Sequence, residues 1–181
     1  MYKPSVGRQW SLDEKCVKTH PNGSKKKHWL AVIQDDSTGL LTIMEMTDNK
    51  PTYDSSKLLR DAINGTGTVP DVVRADGLNG YKRGFENEVK PRNPAATPIA
   101  DVGINGRHIN NNRRERTNGE LGDCWYHARG FKKFLPGLVK LTTLYYNKQP
   151  NGLAPAEAAG VWVAGPDTFK TLIQNTALAC T

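Results

Sequence analysis

The chain has 181 residues, of which 37% are hydrophobic, and its formal net charge is +7 at pH 7. This length predicts one domain with tails, and the positive charge favours polyanionic partners through Coulombic attraction and counterion release. No run approaches the roughly 18 consecutive apolar residues of a membrane span, so no membrane segment is expected. The wide spacing of Cys16, Cys124 and Cys180 argues against a zinc ribbon or a disulfide framework. We therefore expect a cytoplasmic protein.

The domain is predicted to open with three antiparallel strands. Residues 10–18 form the first strand, and a turn at residues 21–24 leads to the second strand at residues 28–34. The loop at residues 35–39, Asp-Asp-Ser-Thr-Gly, suits a tight reversal into a third strand at residues 40–46.

A helix is predicted next, at residues 52–63. Thr52, Asp54 or Ser55 can cap its N-terminus, and Gly65 is expected to lie beyond its end. The apolar residues of this segment recur at helical spacing and should form one buried face. They are Leu58, Leu59, Ala62 and Ile63.

Strand and helix patterns then alternate. A short buried strand is predicted at residues 70–75, and a second helix at residues 78–89. A loop with three prolines at residues 90–98 precedes a fifth strand at residues 99–104. Because this order favours parallel additions to the antiparallel strands, we expect an α/β fold with a mixed five-stranded sheet flanked by helices.

Two further helices are predicted in the rest of the chain, and the C-terminal part has no predicted structure. A polar helix begins near Arg113, after three asparagines at residues 110–112, and an apolar helix covers residues 136–147. The expected organisation is an N-terminal tail at residues 1–9, a core at residues 10–150 and a C-terminal cap and tail at residues 151–181.

Three acidic residues stand where predicted elements begin or end: Asp13 in the first strand, Asp76 after the fourth, and Glu115 in the polar helix. If the first and fourth strands are neighbours, Asp13 and Asp76 lie side by side, and a crossing helix can add Glu115. Converging carboxylates require a compensating cation, and oxygen ligands favour magnesium or manganese. Two such ions, about 3.5–4 Å apart, support in-line phosphoryl transfer.

Each carboxylate also has a structural interpretation. Asp13 could be an exposed strand residue, and Asp76, which precedes Gly77, could be a turn former. Glu115 follows Asn112 by three residues, which is the spacing of a helix capping box. The positions of the carboxylates alone leave these alternatives open.

Five sequence blocks resemble the integrase-core domain of insertion-sequence DDE transposases in order and spacing. They are Val73-Arg-Ala-Asp-Gly-Leu-Asn-Gly-Tyr81, Asn110-Asn-Asn-Arg-Arg-Glu-Arg-Thr-Asn-Gly119, Arg129-Gly-Phe131, Tyr145-Tyr-Asn147 and Pro155-Ala-Glu-Ala-Ala-Gly160. The resemblance implies a ribonuclease-H-like fold in which Asp13, Asp76 and Glu115 are the catalytic and metal-binding triad, with two magnesium or manganese ions per active site. It also implies DNA cleavage and strand transfer in DNA transposition, by a homo-oligomer bound to transposon ends and target DNA.

The sequence departs from this family in two places. Residues 121–124, Leu-Gly-Asp-Cys, stand where a basic residue usually follows the glutamate, so Gly122 and its neighbours put one DNA contact in doubt. Family members also usually begin with a DNA-recognition region, whereas Asp13 lies near the start of this chain. A fragment, an excised core and a decayed copy are all compatible with these departures. The rival functions are a hydrolytic ribonuclease-H-like nuclease and a catalytically silent DNA-binding or assembly module.

Basic side chains near the proposed site are candidates for DNA-phosphate contacts. They are Arg113, Arg114, Arg116, Lys25, Lys26, Lys27 and His108. A solvated helix face is an equally good interpretation for any one of the arginines, a soluble turn is the better one for the lysines, and a structural role is the better one for the histidine.

Overall fold

A computed structural model of the chain describes residues 3–19, 26–48, 55–76, 79–101, 119 and 155–160. These residues form five strands, two longer helices and one helical turn. The strands are β1 (Gln9–Thr19), β2 (Lys26–Asp35), β3 (Leu41–Thr47), β4 (Val72–Asp76) and β5 (Thr97–Asp101), and the helices are α1 (Ser55–Thr66), α2 (Asn79–Glu88) and the turn α3 (Pro155–Ala158).

The strands form one mixed sheet in the order β3-β2-β1-β4-β5. The pairs β1–β2 and β2–β3 are antiparallel, whereas β1–β4 and β4–β5 are parallel. The predicted fold class, three antiparallel strands extended by parallel additions, is therefore confirmed. The strand order places β4 beside β1, which is the neighbour relation that the carboxylate hypothesis requires.

Helices α1 and α2 pack against one face of the sheet and form the main hydrophobic core. Trp10 and Leu12 of β1 and Val73 of β4 contribute to this core, and so does the predicted apolar face of α1. Each of these side chains is nearly fully buried, which contributes roughly 1.5–3 kcal/mol per large residue. The helix-facing residues of β1 are thus Trp10 and Leu12, and Ser11 and Asp13 alternate with them toward the opposite face.

Strand β2 is buried on both faces. Leu30 and Val32 are nearly as inaccessible as Ala31 and Ile33, although neighbouring residues of a strand point to opposite faces. A central strand covered on both sides is expected to show a continuous apolar run rather than an alternating one. This accounts for the uninterrupted apolar pattern in this part of the sequence.

Helix α1 ends three residues later than predicted, and its predicted start at residues 52–54 lies outside the described residues. Gly65 lies inside the helix, and the chain leaves it at Gly67, whose φ of 72° is a left-handed conformation that glycine adopts readily. The Gly67 N–H donates to the Ile63 carbonyl at 2.7 Å, as in a C-terminal cap. The prediction that Gly65 lies beyond the helix was wrong, because a single glycine inside a helix costs only about 1 kcal/mol and does not end it.

Strand β5 begins at Thr97, two residues earlier than predicted, and includes Pro98. Proline was assigned to a loop because it lacks the N–H that a strand ladder uses. In this edge strand the Thr97 N–H donates to the Asp71 carbonyl at 2.8 Å, and the nitrogen of the following residue faces away from β4. Pro98 therefore sits in the edge strand without breaking a hydrogen bond to its neighbour.

The reversal after β2 is built around the fully buried Asp35 carboxylate. Its Oδ2 accepts hydrogen bonds from Thr38 Oγ1 at 2.6 Å, Thr38 N at 3.0 Å and Ser37 Oγ at 2.8 Å. Burial raises the pKa of Asp35, but these bonds and one from the Gly7 backbone outweigh it, so the pKa lies below its ordinary value. The predicted tight loop is thus confirmed, with a charged residue at its centre.

The helix pair is held closely at Gly84 of α2. A Cβ at this position would lie 2.4 Å from Ser55 Oγ and 2.7 Å from the Ser55 carbonyl carbon. Because one of these atoms belongs to the backbone, Gly84→Ala must push the helices apart, and we expect it to destabilise the fold by about 1–3 kcal/mol. Urea denaturation followed by tryptophan fluorescence measures this change.

Gly65→Ala is the matched control for that substitution. Among the described residues, and apart from the chain neighbours and the backbone of α1 itself, no heavy atom lies within 4 Å of a Cβ at position 65. Alanine should therefore stabilise α1 by about 0.5–1 kcal/mol through its helix propensity. A Gly84→Ala variant as stable as Gly65→Ala would show that the helices do not approach each other this closely.

The described parts of the chain contain no helix that is both long enough and apolar enough to span a bilayer.

Candidate active site

The two aspartates of the hypothesis come together in the register of β1 and β4. These parallel strands pair Ser11 with Arg74 and Leu12 with Ala75, and Asp13 and Asp76 are the next residue on each strand. Neighbouring strands are about 4.8 Å apart, so two acidic residues occupy adjacent positions at the centre of the sheet. The predicted neighbour relation of Asp13 and Asp76 therefore agrees with the strand register.

A third acidic residue, Asp101, continues this row on β5. The register of the parallel pair β4–β5 places Asp101 opposite Asp76. Asp101 lies within the strand predicted at residues 99–104, but its place beside Asp76 depends on the register of β5 against β4, which the sequence does not predict. Its position at the end of a strand, after a short apolar run, was the available signal.

Asp13 is half-buried, and its carboxylate is oriented by the neighbouring backbone. The Glu14 N–H donates to Asp13 Oδ1 at 2.8 Å. A hydrogen bond from a backbone N–H restricts the rotation of the carboxylate. The strand-residue alternative for Asp13 does not account for such an acid at the centre of a sheet, since aspartate is depleted in strands.

Arg74 and Asp36 form an ion pair near the aspartate row. Arg74 Nη1 lies 2.8 Å from Asp36 Oδ2 and 3.3 Å from Gln9 Oε1. Ser11 Oγ donates to the other Asp36 oxygen at 2.5 Å. These contacts link β1, β4 and the turn after β2, and they stabilise the part of the sheet that leads to Asp13 and Asp76.

Glu14 belongs to the helix-facing side of β1 and is contacted by α2. The buried Tyr81 hydroxyl donates to Glu14 Oε2 at 2.5 Å. Tyr81 lies in one of the sequence blocks that resemble the transposase family, but the sequence predicts no role for it. Its partner is 67 residues away and can be identified only from the folded structure.

The basic residues proposed to contact DNA are only partly within the described chain. Lys26 forms an ion pair with Asp48 at 3.2 Å, and both side chains are more than half exposed. Lys27 is exposed, and the β1–β2 register places it opposite Lys18. The predicted residues that lie outside the described residues are Glu115, Arg113, Arg114, Arg116, His108 and Lys25.

The described side chains include no group of three or more that is arranged to hold a metal ion. The third proposed ligand, Glu115, is outside that set. The residues that the register brings together carry hard carboxylate oxygens, which suit magnesium and manganese better than softer metals. The pair of aspartates is thus chemically suited to a divalent ion but needs further ligands.

Comparison with solved structures places the fold among integrase catalytic cores. A chain of a simian T-cell lymphotropic virus intasome, solved with the PP2A regulatory subunit B56 gamma, matches with a TM-score of 0.63 and 13% identity over 92% of this chain. The present chain spans only 59% of the length of that protein.

Two structures of the HTLV-2 integrase catalytic core domain in complex with magnesium match over nearly their whole length. The dimeric form has a TM-score of 0.62 and 15% identity, and covers 87% of this chain and 97% of its own. The trimeric form has a TM-score of 0.60 and 14% identity, with 87% and 99% coverage. No family model and no curated protein matches the sequence. At this identity the likeness shows a ribonuclease-H-like, integrase-core fold.

Proposed function

We propose that the chain is the catalytic core of an insertion-sequence DDE transposase that cleaves DNA and transfers strands with divalent metal. The single observation that carries this proposal is the adjacency of Asp13 and Asp76 on β1 and β4, the two parallel strands at the centre of an integrase-core fold. Glu115 is the proposed third ligand.

The proposed roles of the residues follow from their chemistry. Asp13, Asp76 and Glu115 hold two magnesium or manganese ions, which supply activation of the attacking oxygen and stabilisation of the leaving oxygen. The Glu14 N–H keeps the Asp13 carboxylate oriented before any ion arrives. Such preorganisation matters because metal ligands must be held close to their productive geometry.

The partners proposed for this core are transposon ends and target DNA. The net charge of +7 supports a polyanionic partner. The proposed phosphate contacts remain Arg113, Arg114, Arg116, His108 and Lys25–27. The ion pair of Lys26 with Asp48 makes Lys26 the weaker candidate beside the exposed Lys27. We further propose a homo-oligomer on DNA, because the cited integrase cores were solved as a dimer and a trimer, and a cytoplasmic, nucleoid-associated location that follows from DNA binding.

A joining assay tests this function against its rivals. The full chain is incubated with manganese, a fluorescent duplex with free 3′-hydroxyl ends and a supercoiled plasmid. Strand transfer predicts fluorescent plasmid products, and Asp76→Asn should abolish them. Nicked plasmid without joined label would indicate a hydrolytic nuclease, and DNA binding without either product would indicate a catalytically silent module.

A further inference from the structure

Tyr81 combines a buried ring with a polar contact across two elements. Its ring lies in the core formed by α1, α2 and the sheet, and the residue is only 4% exposed. Its hydroxyl reaches from the first turn of α2 to the Glu14 carboxylate on β1. A phenylalanine would fill the same space, so packing alone does not require the hydroxyl at this position.

Glu14 connects this contact to the proposed metal site. Its side chain accepts the Tyr81 hydroxyl on the helix-facing side of β1, while its own N–H donates to Asp13 Oδ1. One residue therefore links α2 to the orientation of the Asp13 carboxylate. A shift of Glu14 along or around the strand would move the donor that holds this carboxylate.

Tyr81 is also tied to the second aspartate through the chain. It lies five residues after Asp76, in the first turn of the helix that follows β4. Helix α2 is itself held by α1, because Ser55 Oγ donates to the carbonyl of Gly80 at 2.6 Å and Gly84 packs directly on Ser55. The Tyr81–Glu14 hydrogen bond thus starts from a firmly held segment.

We infer that Tyr81 and Glu14 form a positioning pair that fixes the first turn of α2 against the residue beside Asp13, and so sets the spacing of β1 and β4 at the two aspartates for metal binding. This inference rests on the proposed function, since it assumes that Asp13 and Asp76 bind metal. Neither Tyr81 nor Glu14 touches the ion. Both act through Asp13 and Asp76, as residues behind metal ligands commonly do.

The test is calorimetric titration of manganese into the full-length chain and its variants. Tyr81→Phe removes only the hydroxyl and should weaken manganese affinity by about 10–100-fold, the usual effect of losing a contact behind a metal ligand. Glu14→Ala should have the same effect. Glu14→Gln keeps an oxygen that accepts the Tyr81 hydroxyl, so its affinity should stay within about threefold of wild type.

Two further variants distinguish a positioning role from a general effect of charge or of lost packing. The double variant Tyr81→Phe with Glu14→Ala should bind no more weakly than Glu14→Ala alone, because each single substitution already removes the Tyr81–Glu14 hydrogen bond. Glu86→Ala, the same change of charge on the exposed side of α2, should leave affinity unchanged. Circular dichroism of each metal-free variant shows whether the fold is retained. A loss of manganese affinity in a folded variant is then specific to the metal site.

The inference is overturned if folded Tyr81→Phe binds manganese like wild type, which would mean that the hydroxyl stabilises the core only. It is also overturned if Glu14→Gln loses affinity as fully as Asp76→Asn, because Glu14 would then be a ligand itself. In both results wild type binds manganese and Asp76→Asn does not, so the proposed function survives. If neither wild type nor Asp76→Asn binds manganese, both the proposed metal site and the proposed positioning pair are contradicted.

Discussion

Replacement of Asp13 by asparagine is expected to reduce metal-dependent DNA cleavage by on the order of 10³-fold and to leave the fold intact. We expect this loss because the substitution removes one negative oxygen ligand from the proposed site, where bound metal ions would supply the catalytic power. Asparagine keeps the size of the side chain and an oxygen that can accept the Glu14 N–H, so the local backbone contact persists. Conversion of supercoiled to nicked plasmid in manganese measures the rate.

Asp61→Asn is the control for this substitution. Asp61 lies on α1, is 42% exposed and pairs with Lys57, so the same chemical change away from the sheet should leave the rate unaltered. An Asp13→Asn variant that cleaves as fast as Asp61→Asn would remove Asp13 from the site. The aspartate would then be structural, as its alternative interpretation holds.

Replacement of Asp35 by alanine is expected to cost about 3–5 kcal/mol of folding stability, since hydrogen bonds to a charged acceptor contribute about 1.5–3 kcal/mol each. The substitution leaves Thr38 and Ser37 donors without their acceptor in the turn after β2. The free energy of unfolding of a domain is typically about 5–15 kcal/mol, so a loss of this size is a large share of it. Urea denaturation gives the difference in unfolding free energy.

Acid titration provides a second measurement of the Asp35 contribution. Burial raises the pKa of folded Asp35, but hydrogen bonds from Thr38 and Ser37 outweigh burial and hold the pKa below its ordinary value of 3.8. The stabilisation is therefore fully present above about pH 3.8 and is lost as the pH falls through the lower, folded pKa. Below that range the difference in stability between wild type and Asp35→Ala should be smaller than at neutral pH, because only the contribution of the charged carboxylate is lost.

Asp71→Asn is the matched control in both measurements. Asp71 is 51% exposed and its ion pair with Arg8 is at the surface, so its loss should shift the unfolding midpoint little. Equal unfolding free energies for Asp35→Ala and Asp71→Asn would show that the buried carboxylate does not hold the turn.

The sheet topology and the pairing of Asp13 with Asp76 were predictable because they depend on local patterns and general rules of connection. Alternation and turn signals locate β1, β2 and β3, and a helical crossover favours a parallel neighbour. The adjacency of the two aspartates then depends on which strands are neighbours and on the register between them. A shift of one residue in the β1–β4 register would separate the two aspartates, so the observed register supports the proposed site.

Features that depend on contacts between distant segments were not predictable. The Tyr81–Glu14 bond requires both the sheet register and the position of α2 on the sheet. Pro98 was predicted to lie in a loop. A proline is accommodated in a strand at the edge of a sheet, and the local sequence does not show that β5 is such a strand. Asp101 was overlooked because its place opposite Asp76 depends on the register of β5 against β4. The predictions for Glu115 and the neighbouring arginines fall outside the described residues.

Whether Asp13 and Asp76 form one metal site can be decided by titrating manganese calorimetrically into wild type, Asp13→Asn, Asp76→Asn and Asp71→Asn. We expect saturable binding to wild type and Asp71→Asn, and loss of that binding in both Asp13→Asn and Asp76→Asn. Binding that survives in either of these two variants, or that is lost equally in Asp71→Asn, would rule out a site built from the adjacent aspartates of β1 and β4.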